Sequence, residues 1–206
     1  PPRSTLFPYT TLFRSNNDGA MDFIVGAPSS AAFTYYLFLN DGTNQFRNVG
    51  SVASVSPGTT AEMGMAAADF DHDGNQDFVA NGNNRYAYVG FGDGRGGFAM
   101  VTLDLGTAGR GVDAGDVNHD GHPDIVRGVS TSGLVTTYLG NGDRTFAAAP
   151  SPPDAGADPY AVAVADFTGD GHADLLAGEG NGGAVTLFPG NGDRKSTRLN
   201  SSHRIR

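Results

Sequence analysis

The sequence predicts an all-β fold made of small sheets of four antiparallel strands, repeated about four times. Three observations carry that reading. The 206 residues hold 31 Gly and 11 Pro with only 38% hydrophobic residues, which suits many short elements joined by many turns and would weaken long helices throughout. A nine-residue acidic loop recurs, and its last Asp stands at 22, 77, 124 and 174, in steps of 55, 47 and 50. Two strand-like runs and an Asx-Gly pair follow each copy in the same order.

Each unit opens on a run of small or apolar residues, seen as Met63-Gly-Met-Ala-Ala-Ala, Gly111-Val-Asp-Ala-Gly and Tyr160-Ala-Val-Ala-Val-Ala. The acidic loop comes next, complete as Asp69-Phe-Asp-His-Asp-Gly-Asn-Gln-Asp77, Asp116-Val-Asn-His-Asp-Gly-His-Pro-Asp124 and Asp166-Phe-Thr-Gly-Asp-Gly-His-Ala-Asp174. An earlier copy, Asn16-Asn-Asp-Gly-Ala-Met-Asp22, supplies positions 3 to 9 of the nine and has Arg14 at position 1. A second strand follows each final Asp, at Phe23-Ile-Val, Phe78-Val-Ala, Ile125-Val-Arg and Leu175-Leu-Ala. The third is read at Tyr35-Tyr-Leu-Phe-Leu, Tyr86-Ala-Tyr-Val, Leu134-Val-Thr-Thr-Tyr-Leu and Ala184-Val-Thr-Leu-Phe. Asp41-Gly42, Asp93-Gly94, Asn141-Gly142 and Asn191-Gly192 then mark hairpin turns, because such pairs accept positive φ. Four residues past the first three of those glycines stand Phe46, Phe98 and Phe146, opening the fourth strand.

Four short antiparallel strands in about fifty residues describe the blade of a β-propeller. Small residues on the first strand suit the crowded position nearest the axis. The recurrent Phe is expected to pack between neighbouring blades. About four blades make an incomplete ring.

The two ends read differently. Residues 1–15 and 193–206 resemble translated sequencing adapters, so both are expected to stand outside the fold, with blades over 16–192. What lies between is expected to be an internal piece of a longer protein. The exclusion sharpens the electrostatics. Residues 16–192 carry 21 acids against 6 arginines and no lysine, a formal charge of −15, where the whole chain carries −9. That balance argues against binding nucleic-acid backbones. No apolar run is long enough to cross a membrane as a helix, so no membrane insertion is expected. Absence of cysteine removes disulfides, thiol catalysis and Cys-based zinc sites.

The acidic loops carry the chemistry. Positions 1, 3, 5 and 9 offer side-chain oxygens and position 6 is Gly, which permits the sharp turn that folds those side chains inward. Converging carboxylates repel one another unless a cation joins them, and hard oxygen donors in this number favour calcium over zinc or copper. The expected donors are Asp69, Asp71, Asp73 and Asp77; Asp116, Asn118, Asp120 and Asp124; Asp166, Thr168, Asp170 and Asp174; and, in the shortened copy, Asn16, Asp18 and Asp22. Position 7 is expected to give its backbone carbonyl, from Asn75, His122, His172 and Ala20. About three Ca2+ sites are expected, with a fourth truncated; Thr168 makes the last complete site the weakest, and Arg14 disables the truncated one. An EF-hand would need an acid at position 12 and flanking helices, whereas that position is Ala80, Arg127 and Ala177. Loop histidines His72, His119, His122 and His172 match no zinc spacing and are read as solvated.

Together the three D-x-[DNT]-x-D-G-x-x-D loops and their strands resemble the FG-GAP/VCBS repeat family, the calcium-loop propeller repeats also seen in integrin α chains. Gly26-Ala27-Pro28 matches the name-giving tripeptide, and Phe91-Gly92 the dipeptide. The resemblance implies a propeller, commonly of seven blades, structural calcium in the hairpin loops, and an extracellular or cell-surface setting.

Three functions follow from different classes. The leading expectation is a calcium-binding scaffold for adhesion or binding, with a protein or carbohydrate ligand. The alternatives are a non-catalytic or partial propeller of a secreted polysaccharide-active lyase or hydrolase, and a lectin. Twelve of the 21 acids lie in the repeated loops, Glu62 and Glu179 are the only glutamates, and no G-x-S-x-G nucleophile motif occurs, so no catalysis is expected within the chain. Tyr35, Tyr36, Tyr86 and Tyr88 offer rings for sugar stacking but fall on strands, where core packing is the plainer role.

Overall fold

The computed structural model describes residues 10–28, 33–43, 45–55, 62–82, 84–129, 131–150, 155, 158–180, 183–191 and 203–205. The rest, including Gly192 of the fourth turn and most of both terminal segments, lies outside them. Sixteen strands and no helix occur among the described residues, in four separate sheets.

Each sheet is one repeat, with its strands in chain order and all pairs antiparallel. The first holds β1 (Thr10–Phe13), β2 (Asp22–Pro28), β3 (Phe33–Asn40) and β4 (Phe46–Val55). The second holds β5 (Glu62–Ala68), β6 (Asp77–Gly82), β7 (Tyr86–Gly92) and β8 (Phe98–Asp104). The third holds β9 (Val112–Gly115), β10 (Asp124–Val129), β11 (Leu134–Gly140) and β12 (Phe146–Ala148). The fourth holds β13 (Pro159–Ala165), β14 (Asp174–Glu179), β15 (Val185–Phe188) and β16 (His203–Ile205). The acidic loop always joins the first strand to the second, and in the first three sheets the Asx-Gly turn joins the third to the fourth, as the sequence pattern requires.

The terminal segments differ from expectation. Each contributes one strand: β1 pairs with β2 from Thr10↔Val25 to Phe13↔Asp22, and β16 pairs with β15 from Val185↔Ile205 to Leu187↔His203. Ladder bonds are made by backbone, and an open sheet edge accepts any strand that can lie flat against it. Thr-Thr-Leu-Phe is rich in β-formers, and its alternation turns Phe13 inward, where it is 2% exposed.

First strands lie beside one another, β1 on β5, β5 on β9 and β9 on β13. Crowding there explains their small residues. A Cβ on Gly64 would stand 2.9 Å from the Val112 nitrogen, and one on Gly111 would stand 2.8 Å from both the Ala161 Cα and the Tyr160 oxygen. The sheets do not close into a ring.

The core is three layers, one at each junction between consecutive sheets. Ile24, Tyr35 and Leu37 of the first sheet meet Phe78 and Tyr88 of the second. Phe70, Val79 and Phe91 of the second meet Val112 and Ile125 of the third. Val117, Val126 and Val135 of the third meet Val164, Leu175 and Phe188 of the fourth. Sheets covered on both faces have second strands without a solvent side, and every residue of β6 and β10 is buried. The expectation for the recurrent Phe holds at two positions: Phe98 meets Phe13 of the preceding sheet with ring centroids 5.8 Å apart, and Phe146 meets Phe70 at 5.6 Å. Among the described residues, the ring contact of Phe46 is with Phe23 of its own sheet, at 4.8 Å.

Candidate metal centre

The loops are shaped by their own side chains before any ion is considered. The position-3 side chain accepts the position-5 N–H, from Asn16 to Asp18, Asp71 to Asp73 and Asn118 to Asp120, at 3.0–3.2 Å. The position-5 carboxylate accepts the position-7 N–H in all four loops, from Asp18, Asp73, Asp120 and Asp170, at 2.8–2.9 Å. These are successive Asx turns, which is why Asp and Asn alternate with other residues here. Gly19, Gly74, Gly121 and Gly171 at position 6 all take positive φ, as expected. Position 4 does so too, in Asn17, His72, His119 and Gly169. Sequence reasoning missed that second left-handed residue; its signal was the Asn, His, His, Gly series, which avoids β-branched side chains.

Position 9 is the tie between loop and hairpin. Asp22, Asp77, Asp124 and Asp174 are each 0% exposed. One oxygen of each accepts the N–H of position 2, from Ser15, Phe70, Val117 and Phe167, at 2.8–2.9 Å. The other accepts the N–H at the end of the third strand or just past it, from Asn40, Gly92, Gly140 and Gly190, at 2.7–2.9 Å. The recurrent ninth Asp, expected as a metal donor, thus also ties the loop to the hairpin in every copy.

In the second loop the acids also converge. Asp69, Asp71 and Asp77 each place a carboxylate oxygen so that the three lie within 4.8 Å of one another. Asp69 Oδ2 accepts the Gly74 N–H at 3.1 Å, while Asp69 Oδ1 is buried with no hydrogen-bond partner. A buried carboxylate oxygen left without a donor is costly, and it is the feature a cation would satisfy. Burial pushes the Asp77 carboxyl up to about 7; the Gly92 and Phe70 N–H groups oppose the push, and the Asp71 and Asp69 charges add to it. Part of the negative charge is met from the next sheet, where Arg144 Nε lies 2.6 Å from Asp71 Oδ2 and its NH2 lies 4.0 Å from Asp73 Oδ2. The donor set is all oxygen, and the second loop therefore fits a hard cation such as Ca2+.

The other loops are arranged differently. Asp116 spends both oxygens on the N–H groups of Asp120 and Gly121, and Asn118 donates to Asp120 at 2.9 Å. Burial pushes Asp124 up to about 7. Asp166 accepts from Gly169, Asp170 and Gly171, which holds its carboxyl below the usual carboxylate range. Thr168 gives its N–H to Asp174 at 2.8 Å. In the first loop Arg14 donates from Nε to the Gly19 carbonyl at 3.2 Å. Among the described residues, the second loop is thus the place where three acidic side chains gather.

Position 7 sends its side chain to the neighbouring loop. Asn17 Nδ2 donates to Asn75 Oδ1 at 2.8 Å, the His72 and His122 rings meet edge-on at 4.7 Å, and His119 Nε2 lies 3.0 Å from His172 Nδ1. The loop histidines, read as solvated, are therefore paired across blade junctions. Each pair joins position 4 of one loop to position 7 of the next, a relation invisible until the sheets are set side by side. Of the tyrosines considered for sugar stacking, Tyr35 is 0% and Tyr88 6% exposed, so both are core residues.

The FG-GAP-like repeat family matches residues 16–80 and 128–177, more than half of the chain. The first stretch contains the first and second acidic loops and the second stretch the fourth; the third loop, which carries the same pattern, lies between them. No curated protein matches the chain.

Proposed function

The chain belongs to the FG-GAP-like repeat family, and from that premise we propose that it is a calcium-stabilised scaffold of propeller blades that binds a protein or carbohydrate partner outside the cell or at its surface. The observation that carries the calcium part is the buried, unpartnered Asp69 Oδ1 inside the Asp69, Asp71 and Asp77 cluster. In this reading Asp69 and Asp71 hold the ion, Asp77 closes the loop behind it, and Asp73 and the Asn75 carbonyl complete the donors. The bound ion supplies positive charge where three carboxylates meet. Asp116, Asn118, Asp120, the His122 carbonyl and Asp124, then Asp166, Thr168, Asp170, the His172 carbonyl and Asp174, form further and weaker sites, since their position-1 acids must give up backbone bonds to bind.

Extracellular calcium at millimolar levels fills sites with dissociation constants of about 10⁻⁴–10⁻³ M. Each ion pins the link between the first two strands of a blade. Partner binding falls to the connections that the repeat leaves variable, and the reading assigns the chain no reaction.

Calorimetry of the full chain after chelation tests it. Added Ca2+ should release or absorb heat and raise the melting temperature, and the tightest event should vanish in Asp69→Asn/Asp71→Asn. No heat and an unchanged melt would remove the calcium mechanism. Saturable glycan-array binding without turnover supports a carbohydrate partner; turnover of an acidic polysaccharide would overturn the scaffold reading in favour of an enzyme.

A further inference from the structure

The three loop-to-loop contacts hold equivalent places in the repeat and differ in chemistry. Position 4 of one loop meets position 7 of the next as Asn17 on Asn75, His72 on His122 and His119 on His172. In the first the partners are amides, in an ordinary hydrogen bond at 2.8 Å. In the last, two imidazole nitrogens, His119 Nε2 and His172 Nδ1, stand 3.0 Å apart, and both residues are half-buried.

A neutral imidazole has one donor and one acceptor nitrogen, so this pair shares one proton. Two ring nitrogens at that spacing are also a chelate. With metal–nitrogen bonds of about 2.0–2.1 Å they subtend about 90–95° at a common ion. That is the angle between neighbouring ligands of a square-planar or tetragonal ion, the geometry of Cu2+ and Ni2+; a tetrahedral ion needs them farther apart. Imidazole suits these metals, whereas Ca2+ takes oxygen ligands.

Both ligands come off backbone that is already held. His119 lies between Asn118 and Asp120, and the Asp120 N–H is bonded to Asn118 and Asp116. The His172 N–H is bonded to Asp170 Oδ1 at 2.9 Å. Asp166 lies close enough to His172 for the two to interact electrostatically, which suits a cation there. The second junction differs. His122 Nδ1 is buried without a hydrogen-bond partner, and a Cβ on Gly142 would stand 2.5 Å from it, so no ion fits at that nitrogen.

We propose that His119 Nε2 and His172 Nδ1 bind one divalent late transition metal ion, of the Cu2+ or Ni2+ kind, which clips the third sheet to the fourth. Water fills its remaining positions. The ring that donates within the metal-free pair carries its proton on its other nitrogen when the ion is bound, so both ligand atoms are unprotonated. The calcium proposed above pins strands within a blade; this ion ties two blades and takes a separate site.

Titration of the full chain with Cu2+, read by electron paramagnetic resonance and by melting temperature, tests the site. The first equivalent is expected to give the spectrum of a tetragonal ion with two imidazole nitrogens and to raise the melting temperature. His119→Asn and His172→Asn should each weaken that event by at least about tenfold. These changes copy residues that the repeat already uses at the same places, Asn17 at position 4 and Asn75 at position 7. The double variant should therefore regain a hydrogen bond and keep its metal-free melting temperature while losing the copper response. His72→Asn should leave copper binding at the wild-type value. Titrations are run with and without excess Ca2+, because an ion held by imidazoles stays and one lodged among the acids is displaced. No binding, displacement by Ca2+, a spectrum with oxygen ligands alone, or copper binding that survives both asparagine changes would each overturn the proposal.

Discussion

His119 Nε2 and His172 Nδ1 face each other at 3.0 Å across the junction of the third and fourth sheets, each from an acidic loop. Their rings stand edge-on, 4.9 Å apart. Two residue positions within one repeat thus become neighbours between repeats. His119 can reach its partner because its backbone is left-handed, with φ of 58°.

That conformation costs a non-glycine residue about 1–2 kcal/mol and is worst for β-branched side chains. His119→Gly and His119→Val lose the same ring contact and differ in backbone strain. We expect the valine variant to be less stable than the glycine variant by about 1 kcal/mol or more, read from urea midpoints. Equal midpoints would mean that the loop relaxes to another conformation.

The ninth-position acids should be the least replaceable residues of the loops. Asp124→Ala removes the acceptor of both the Val117 and Gly140 N–H groups, each buried. An unsatisfied buried donor costs about 1–3 kcal/mol, so a loss of several kcal/mol is expected in chelator, where no ion contributes. Asp73→Asn, on an exposed acid whose oxygen acceptor is retained, should cost well under half as much.

Asp77 and Asp124 also predict how stability varies with pH. Both have carboxyls raised by burial to about 7 from the ordinary 3.8. Between those values the folded chain binds more protons than the unfolded one, so the stability they contribute is present below about 4 and lost as pH rises through about 7. In chelator the melting temperature should fall from pH 5 to pH 8, and Asp124→Asn should flatten the slope. Calcium should flatten it at Asp77, because an ion beside the carboxylate favours its charged form. A melting temperature that rises over this range in chelator would contradict the assignment.

Arg144 is the resident cation of the second loop, 2.6 Å from Asp71. A metal must compete with it. The side chain is 48% exposed, so the ion pair is worth at most about 1 kcal/mol. Arg144→Ala should therefore tighten calcium binding by up to about fivefold, in a titration that resolves the tightest site. Weaker binding would show that Arg144 orders Asp71 for the ion.

What the sequence disclosed was whatever recurs within one repeat. Strand order, hairpin positions and the acidic nonapeptide lie close together in the chain, so their spacing could be read directly. Phe98 and Phe146 were legible as inter-blade residues because they recur at a fixed distance from the hairpin glycine. Relations between repeats were not legible. Nothing in a linear pattern joins His72 to His122, or Arg144 to Asp71, 73 residues away. The backbone role of the ninth Asp was hidden for a related reason: composition shows an oxygen donor, and only the fold shows two backbone N–H groups aimed at it. Thr10–Phe13 was set aside on its resemblance, yet strand pairing draws on backbone, which that segment offers to β2 from Thr10 to Phe13.

Two glycines separate the demands of the axis from those of the loop. Gly111 sits where β9 approaches β13, its N–H bonded to the Tyr160 carbonyl at 2.9 Å. Alanine there would set a Cβ 2.8 Å from backbone atoms of the next sheet. Backbone cannot swing aside as a side chain can, so the sheets must part, at about 1–3 kcal/mol. Gly74 has open space around it and φ of +86°, so Gly74→Ala meets no neighbour and pays only in strain, about 1–2 kcal/mol. The two variants should lower the melting temperature in chelator by similar amounts yet diverge in calcium. Gly74→Ala disturbs the turn that carries its N–H to Asp69, so it should weaken the ion's binding, whereas Gly111→Ala should leave the affinity at the wild-type value. Matching losses of calcium affinity in both would mean that the second loop is set by how the sheets pack and not by its own turn.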